Sequence, residues 1–322
     1  MNIVAETILK GLRRILCPLL FRQEELPSLP CEMDMAKSQE MIARLLRSDK
    51  PCMVARFGST ELDAVVNYIG VQSSPHSPWK YVKGEVNEWW WDRKVMNHLC
   101  SNAGFFPSTE DSLRRFAELM ITDASQVDVL GCWLKEEWYL RQTLKNVKRV
   151  KLSNLEPPYL TGDRRIPSWT SEIEGKRVLV VHPFAETIKK QYEKRNLLFE
   201  REDILPDFDL QTLKAVQSIG GNTDFGSWFD ALRWMEDQMD SISYDICLIG
   251  CGAYGFPLAA HAKRTGHKAV HLGGALQLLF GIKGRRWEER PEFKKMFNEH
   301  WVRPSQEETP PTAASVEGGC YW

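Results

Sequence analysis

The sequence has no run of 18 apolar residues, so no segment is long enough to cross a bilayer as a helix. It also lacks any Cys-x-x-Cys pair. Its eight cysteines lie scattered, several inside apolar strand-like runs where a thiol serves as a small hydrophobe. A structural zinc or a disulfide framework is therefore not expected, and a reduced, cytoplasmic protein is. Net charge is nearly absent, with 42 Lys+Arg against 43 Asp+Glu and a formal charge of −1. Without a global basic field, nucleic acid is not an expected partner. No internal repeat or low-complexity array is present, and 43% hydrophobic content lies far above disordered compositions. Tryptophan alone is in excess, at 12 residues. Buried, these rings would fill the core; exposed, they would stack on sugars or bases, and composition does not separate the two.

Near the start, Ile8, Leu12, Ile15, Leu16 and Leu19 fall at helical spacing. Lys10, Arg13 and Arg14 interrupt them and make a cleaved export signal unexpected. The pattern predicts a basic amphipathic helix over residues 3–20. Such a helix suits an anionic membrane surface on the cytoplasmic face, or packing on its own domain or a second subunit. With a Pro-containing linker it makes up residues 1–30. An α/β body over 31–303 and a tail over 304–322 complete the expected organisation.

From residue 33 onward, helical patterns alternate with short apolar runs. Strands are expected at Cys52–Arg56, Val127–Trp133, Val147–Leu152, Val178–Val181, Ile246–Ile249 and Ala269–Leu272, with Pro157-Pro158 breaking the chain after the third. Helices are expected at Met33–Arg47, Leu113–Ile121, Glu136–Leu144, Thr187–Lys194, Asp209–Gln217, Ser227–Met239 and Pro257–Thr265. This alternation predicts an α/β fold with an open, largely parallel sheet and helices on both faces, Rossmann-like in type. In such sheets ligands bind at the carboxyl ends of the strands.

Four strand ends carry chemistry. The first is Arg56-Phe57-Gly58-Ser59-Thr60-Glu61. Gly58 permits a tight turn, Ser59 or Thr60 suits a helix N-cap, and Thr60 with Asp63 has capping-box spacing. Arg56 and Glu61 are left over: they suit an anion at a helix N-terminus, or pair with each other. The second is His182-Pro183-Phe184-Ala185-Glu186, where His182 leaves its strand at the ligand position, as a catalyst or a hydrogen-bonded structural residue. The third, Gly250-Cys251-Gly252-Ala253-Tyr254-Gly255, satisfies G-x-G-x-x-G between a strand and a helix. The next strand ends in His271, where a dinucleotide site would want an acid, so the glycines point to a phosphate-bearing ligand without specifying NAD. The fourth runs from His271 through Gly273 and Gly274 to Lys283, Arg285 and Arg286, cations flanked by Phe280 and Trp287. It suits a pyrophosphate, or is a solvated charged turn.

RFGSTE after the first strand, HPF after a later one and the closing LIGCGAYG and KAVHLGG together resemble the GT-D-fold glycosyltransferases of bacterial surface-glycan assembly, over roughly residues 40–287. Those proteins carry RFGDGE or RYGDGE, whose acids are associated with nucleotide-sugar and metal binding. The resemblance implies a GT-D-type fold, a nucleotide-sugar donor and a glycan or lipid-linked glycan acceptor. Carried over, the Glu falls on Glu61 while the Asp position is Ser59. The magnesium or manganese ion so implied would keep Glu61 and lose a second carboxylate.

Transfer from such a donor needs its leaving group stabilised, a task for Arg56, Arg285 and Arg286 when Ser59 holds the acid's place. A base near the acceptor hydroxyl would come from Glu61, His182, Glu186 or Asp224. Two other classes stay open: a nucleotide-dependent oxidoreductase using the G-x-G-x-x-G turn, and a non-catalytic glycan-binding or assembly protein. The tail begins with linker composition but ends in Cys320-Tyr321-Trp322, so residues 316–322 are expected to dock near the ligand cleft or else to fray.

Overall fold

The computed structural model describes residues 2–21, 25–156, 163–218, 224–311, 313 and 318–322. Its sheet has seven strands: β1 (Cys52–Ala55), β2 (Val129–Cys132), β3 (Lys148–Lys151), β4 (Arg177–His182), β5 (Asp209–Lys214), β6 (Ile246–Ile249) and β7 (Lys268–His271). The order is β3-β2-β1-β7-β6-β4-β5, and every pairing is parallel. Pro157 and Pro158 lie outside the described residues.

The central strands read as unbroken apolar runs because both faces of the sheet are covered. In β1, Met53 and Ala55 belong to one core, Cys52 and Val54 to the other. Register follows from this layering: Val54 lies between Val129 and Val270, and Leu248 between Val180 and Val270. Helices Ser59–Gln72, Glu110–Ala124, Trp228–Asp240 and Gly255–Arg264 close the first face. Helices Met35–Arg47, Ala185–Tyr192 and Leu276–Leu279 close the second. Thus β1 and β6 send the chain to one face, while β4 and β7 send it to the other. Neighbouring strands that diverge in this way open a crevice above their carboxyl ends.

Two expected helices are not α-helices. Residues Asp209–Lys214 form β5, paired along the whole of β4 from Arg177 opposite Asp209 to His182 opposite Lys214. Leu210 and Leu213, three apart, suggest one helical face; in the strand they point to opposite faces, and each packs into a different core. Residues Lys135–Leu140 form a 3-10 helix, where an α-helix was expected over Glu136–Leu144. No disulfide links any of the eight cysteines. Trp90, Trp169, Trp228, Trp287 and Trp301 are buried, whereas Trp79, Trp133 and Trp234 are exposed.

Residues Ile3–Leu20 form the amphipathic helix, with the side chain of Asn2 capping the Val4 amide. It turns its basic side toward the body of the protein. Lys10 pairs with Asp92 at 2.8 Å, Arg13 lies 4.5 Å from the Tyr81 ring centroid, and Cys17 is fully buried. No helix among the described residues is long and apolar enough to cross a membrane.

Candidate functional site

Above the carboxyl ends of β1, β7, β6 and β4 lies a cavity of about 560 Å3. Ligand pockets commonly range over roughly 300–1,000 Å3. Arg56, Gly58, Ser59, Glu61, His182, Gly250, Gly252, His271, Gly273, Gly274 and Arg286 line it, so the four strand ends meet in one place.

Arg56 leaves β1 and lays its guanidinium over the Trp133 ring, 4.7 Å from the centroid. Trp133 leaves the neighbouring β2 and is fixed at both ends. Its Nε1–H donates to the Phe57 carbonyl at 2.9 Å, and its amide donates to Glu137 Oε1 at 3.2 Å. Glu137 also accepts the Leu134 amide, which is the work the 3-10 turn performs. Arg56 has no ion pair among the described residues, and its Nε is buried without a hydrogen-bond partner. An unpaired guanidinium stacked on an aromatic face is set for a planar or tetrahedral anion.

Of the two readings of Arg56 and Glu61 the ion pair is not formed, and neither Ser59 nor Thr60 serves as the cap. Helix Ser59–Gln72 has Gly58 as its N-cap, with no side-chain cap bond from Ser59 or Thr60. Glu61 instead folds back over Gly58, where any Cβ would collide with its carboxyl group. Burial pushes the Glu61 pKa above the usual carboxylate range, while its own amide and the charge of Arg56 pull it back.

His182 ends β4. Its Nδ1 accepts the Phe184 amide at 3.0 Å, which leaves the ring proton on Nε2. Burial lowers its pKa to about 3, so the ring is neutral across the physiological range. His271, at the end of β7, is likewise held near 3, first by burial and then by the Arg56 charge. It packs directly on Gly255, where a Cβ would strike the imidazole. That is the close helix–strand contact which the last glycine of G-x-G-x-x-G serves.

Six expected residues stand elsewhere. Tyr254 is buried in the core, stacked 5.0 Å from Trp228 and bonded through its hydroxyl to Ser218. Gly255 lies behind His271 instead of on the cavity wall. Glu186 is exposed and paired with Lys189 at 2.8 Å, which lowers its pKa. Asp224 is exposed and lies outside the wall. The cationic cluster is split because Arg285–Glu288 is one helical turn, so consecutive side chains diverge by about 100°. Lys283 follows the Ile282–Val302 bridge and Arg285 faces Glu289 at 3.7 Å, which leaves Arg286 at the cavity.

Arg290, in extended backbone just past that turn, joins Arg286 there. Trp133 was readable as a strand-end residue. Phe184 and Trp287, which stand in the strand-end segments already singled out, complete much of the wall with Glu156 and Gln277, which carry no such signal. Tyr321 and Trp322 form its last part. Arg286 lies 4.7 Å from the Tyr321 ring centroid and donates to its hydroxyl at 3.0 Å, while Gln277 donates to the Tyr321 carbonyl at 3.1 Å. Trp322 Nε1 donates to the Glu308 carbonyl at 3.1 Å. Val316 and Glu317 lie outside the described residues.

The donor set does not fit a protein-held divalent cation. Among the described residues no three His, Cys, Asp or Glu side chains converge, and beside Glu61 stand the Arg56 cation and the Ser59 hydroxyl. What the cavity does offer an anion is guanidinium groups, glycine-rich turns and neutral imidazoles.

No protein-family model matches the chain, and no curated protein matches it. A solved structure titled as a selenomethionine-substituted domain of unknown function 1792 (DUF1792) is similar to it over 94% of this chain and 96% of that one, at 12% identity and a TM-score of 0.41, a distant likeness of fold.

Proposed function

We propose that the cavity binds a nucleoside diphosphate sugar and transfers the sugar to a hydroxyl of a glycan or lipid-linked glycan. The observation that carries this reading is Arg56, a guanidinium with no ion pair among the described residues, stacked on Trp133 at the meeting point of two glycine turns. A diphosphate would bridge Arg56 and Arg286 and lie against the turns after β6 and β7, beyond Gly250 and Leu272, whose own amides are taken by the Val181 and Ile249 carbonyls. The flat and hydroxylated parts of the donor would lie along the aromatic wall.

In the reaction the bond from the anomeric carbon to the diphosphate oxygen breaks, and a bond from that carbon to the acceptor oxygen forms. The electron pair leaves on the diphosphate, where Arg56 and Arg286 stabilise it. The acceptor proton passes to Glu61, whose raised pKa makes it a better base than an exposed carboxylate. His182, neutral and with its proton on Nε2, donates a hydrogen bond without becoming an imidazolium.

Thermal shift and calorimetry against nucleoside diphosphate sugars, with NADH alongside, test the reading. One sugar nucleotide should stabilise the protein, NADH should not, and Arg56→Gln should remove the effect. Stabilisation by NADH, or an Arg56→Gln variant that binds as the parent does, would overturn it.

A further inference from the structure

Helix Ile3–Leu20 is amphipathic in an inverted sense: its polar side is docked and its apolar side is bare. At 100° per residue, Val4, Ile8, Leu12, Ile15 and Leu19 fall within an arc of about 80°. These five side chains, with Ile3 and Leu20, are 41–74% exposed. Lys10, Arg13 and Cys17 centre on the opposite side and are taken up by Asp92, Tyr81, the Val86 carbonyl and the Lys83 carbonyl. A contiguous apolar stripe held outward by its own ion pair and cation–π contact is not an accident of a loose helix.

We propose that this stripe seats the protein on an anionic bilayer surface, with the helix lying in the headgroup plane. Three observations choose lipid over a second copy of the chain. At 18 residues the helix is about 27 Å long, and a stripe roughly 10 Å wide offers about 300 Å2, well below the ~800 Å2 per partner of a stable interface. At its far end Phe21 meets the exposed Trp79 edge-on at 5.8 Å, with Lys83 Nζ within 6 Å of both rings. An aromatic pair with a cation at one level is the arrangement that favours the headgroup layer. Finally, Arg14 on the helix flank and Lys80 beside Trp79 are exposed and carry no ion pair among the described residues, so they complement anionic lipid. The inference rests on none of the cavity residues and stands apart from the transferase reading.

The test is vesicle flotation of the full chain with phosphatidylcholine alone and with phosphatidylcholine and phosphatidylglycerol in about a 3:1 ratio. The parent should float with the mixed vesicles and much less with phosphatidylcholine. Replacing Ile8, Leu12 and Ile15 together by Ser should weaken binding about tenfold or more while the melting temperature holds, because these side chains are 41–60% exposed and belong to neither core. Arg14→Glu with Lys80→Glu should weaken binding to the mixed vesicles and leave the phosphatidylcholine baseline unchanged. Flotation that the triple variant retains would overturn the proposal. A parent that sediments as a dimer, dissociates in the triple variant and ignores vesicles would show instead that a second copy covers the stripe.

Discussion

The Arg56 guanidinium lies 4.7 Å from the centre of the Trp133 ring and makes no ion pair among the described residues, although Glu61 stands on the same turn. The two residues leave adjacent strands, β1 and β2, so the sheet itself sets their distance. Trp133 is in turn held by Phe57 and Glu137. The cation is thus positioned by stacking and kept free for an incoming anion.

Arg56→Gln should weaken sugar-nucleotide affinity by about ten- to a hundredfold, the worth of a charge-assisted contact, with the melting temperature unchanged. Arg56→Lys should rescue little, since an ammonium keeps the charge and loses both the fork and the flat face. Trp133→Ala should raise KM and affect kcat less, because it acts through Arg56. Calorimetry and steady-state kinetics on the three variants check this.

Glu61→Gln should lower kcat by roughly 10²–10⁴ while the donor still binds. If Glu61 is the base, activity falls as pH drops through its raised pKa, where the carboxylate takes up a proton. Arg56 lowers that pKa, so Arg56→Gln should move the acidic limb of kcat toward higher pH. A limb that stays put in this variant would assign the base elsewhere.

Much of this site was legible because strand ends announce themselves: an apolar run, then Arg56, His182, Gly250 or His271. What misled was local. Leu210 and Leu213 fit a helix and a strand equally, and only pairing with β4 decides between them. Lys283, Arg285 and Arg286 are close in sequence, but one helical turn scatters them. The basic residues of the first helix suggest the face that meets a membrane, yet Asp92 and Tyr81, some 80 and 70 residues away in the chain, take two of them inward. No periodicity within a segment reports such long-range partners.

Removal of residues 318–322 should cost a few degrees of melting temperature and weaken donor binding. Glu308, which precedes this segment, caps helix Ala185–Tyr192 from outside through the Glu186 amide at 2.8 Å and the Thr187 amide at 3.3 Å. Tyr321 packs over Gly274, where a Cβ would collide with its ring, and holds Arg286. Tyr321→Phe keeps the ring over Arg286 and loses the hydroxyl contact, so its affinity should fall between those of the parent and Tyr321→Ala.

Two buried groups should bend the stability–pH curve in opposite directions. His271 titrates near 6.5 unfolded and about 3 folded, because burial and Arg56 disfavour the imidazolium. Its contribution is therefore complete above pH 6.5 and is lost as pH falls toward 3, on the order of 5 kcal/mol. Asp123 is pushed from 3.8 up to about 6 by burial, against the pull of Arg264, and its Oδ2 has no hydrogen-bond partner among the described residues. Its folded form holds the proton longer, so its contribution is present below about pH 4 and is lost as pH rises through 6, on the order of 3 kcal/mol. In urea titrations between pH 4 and 7, His271→Asn should flatten the loss of stability on acidification, whatever packing its missing ring costs at every pH. Asp123→Asn should do the reverse and make the acid loss steeper, since it removes a group that gains from acid. The slope, not the absolute stability, reads the titration. Parallel curves for parent and His271→Asn would mean that the imidazole is charged or solvated in the fold, and the neutral, buried histidine beside Arg56 would have to be abandoned.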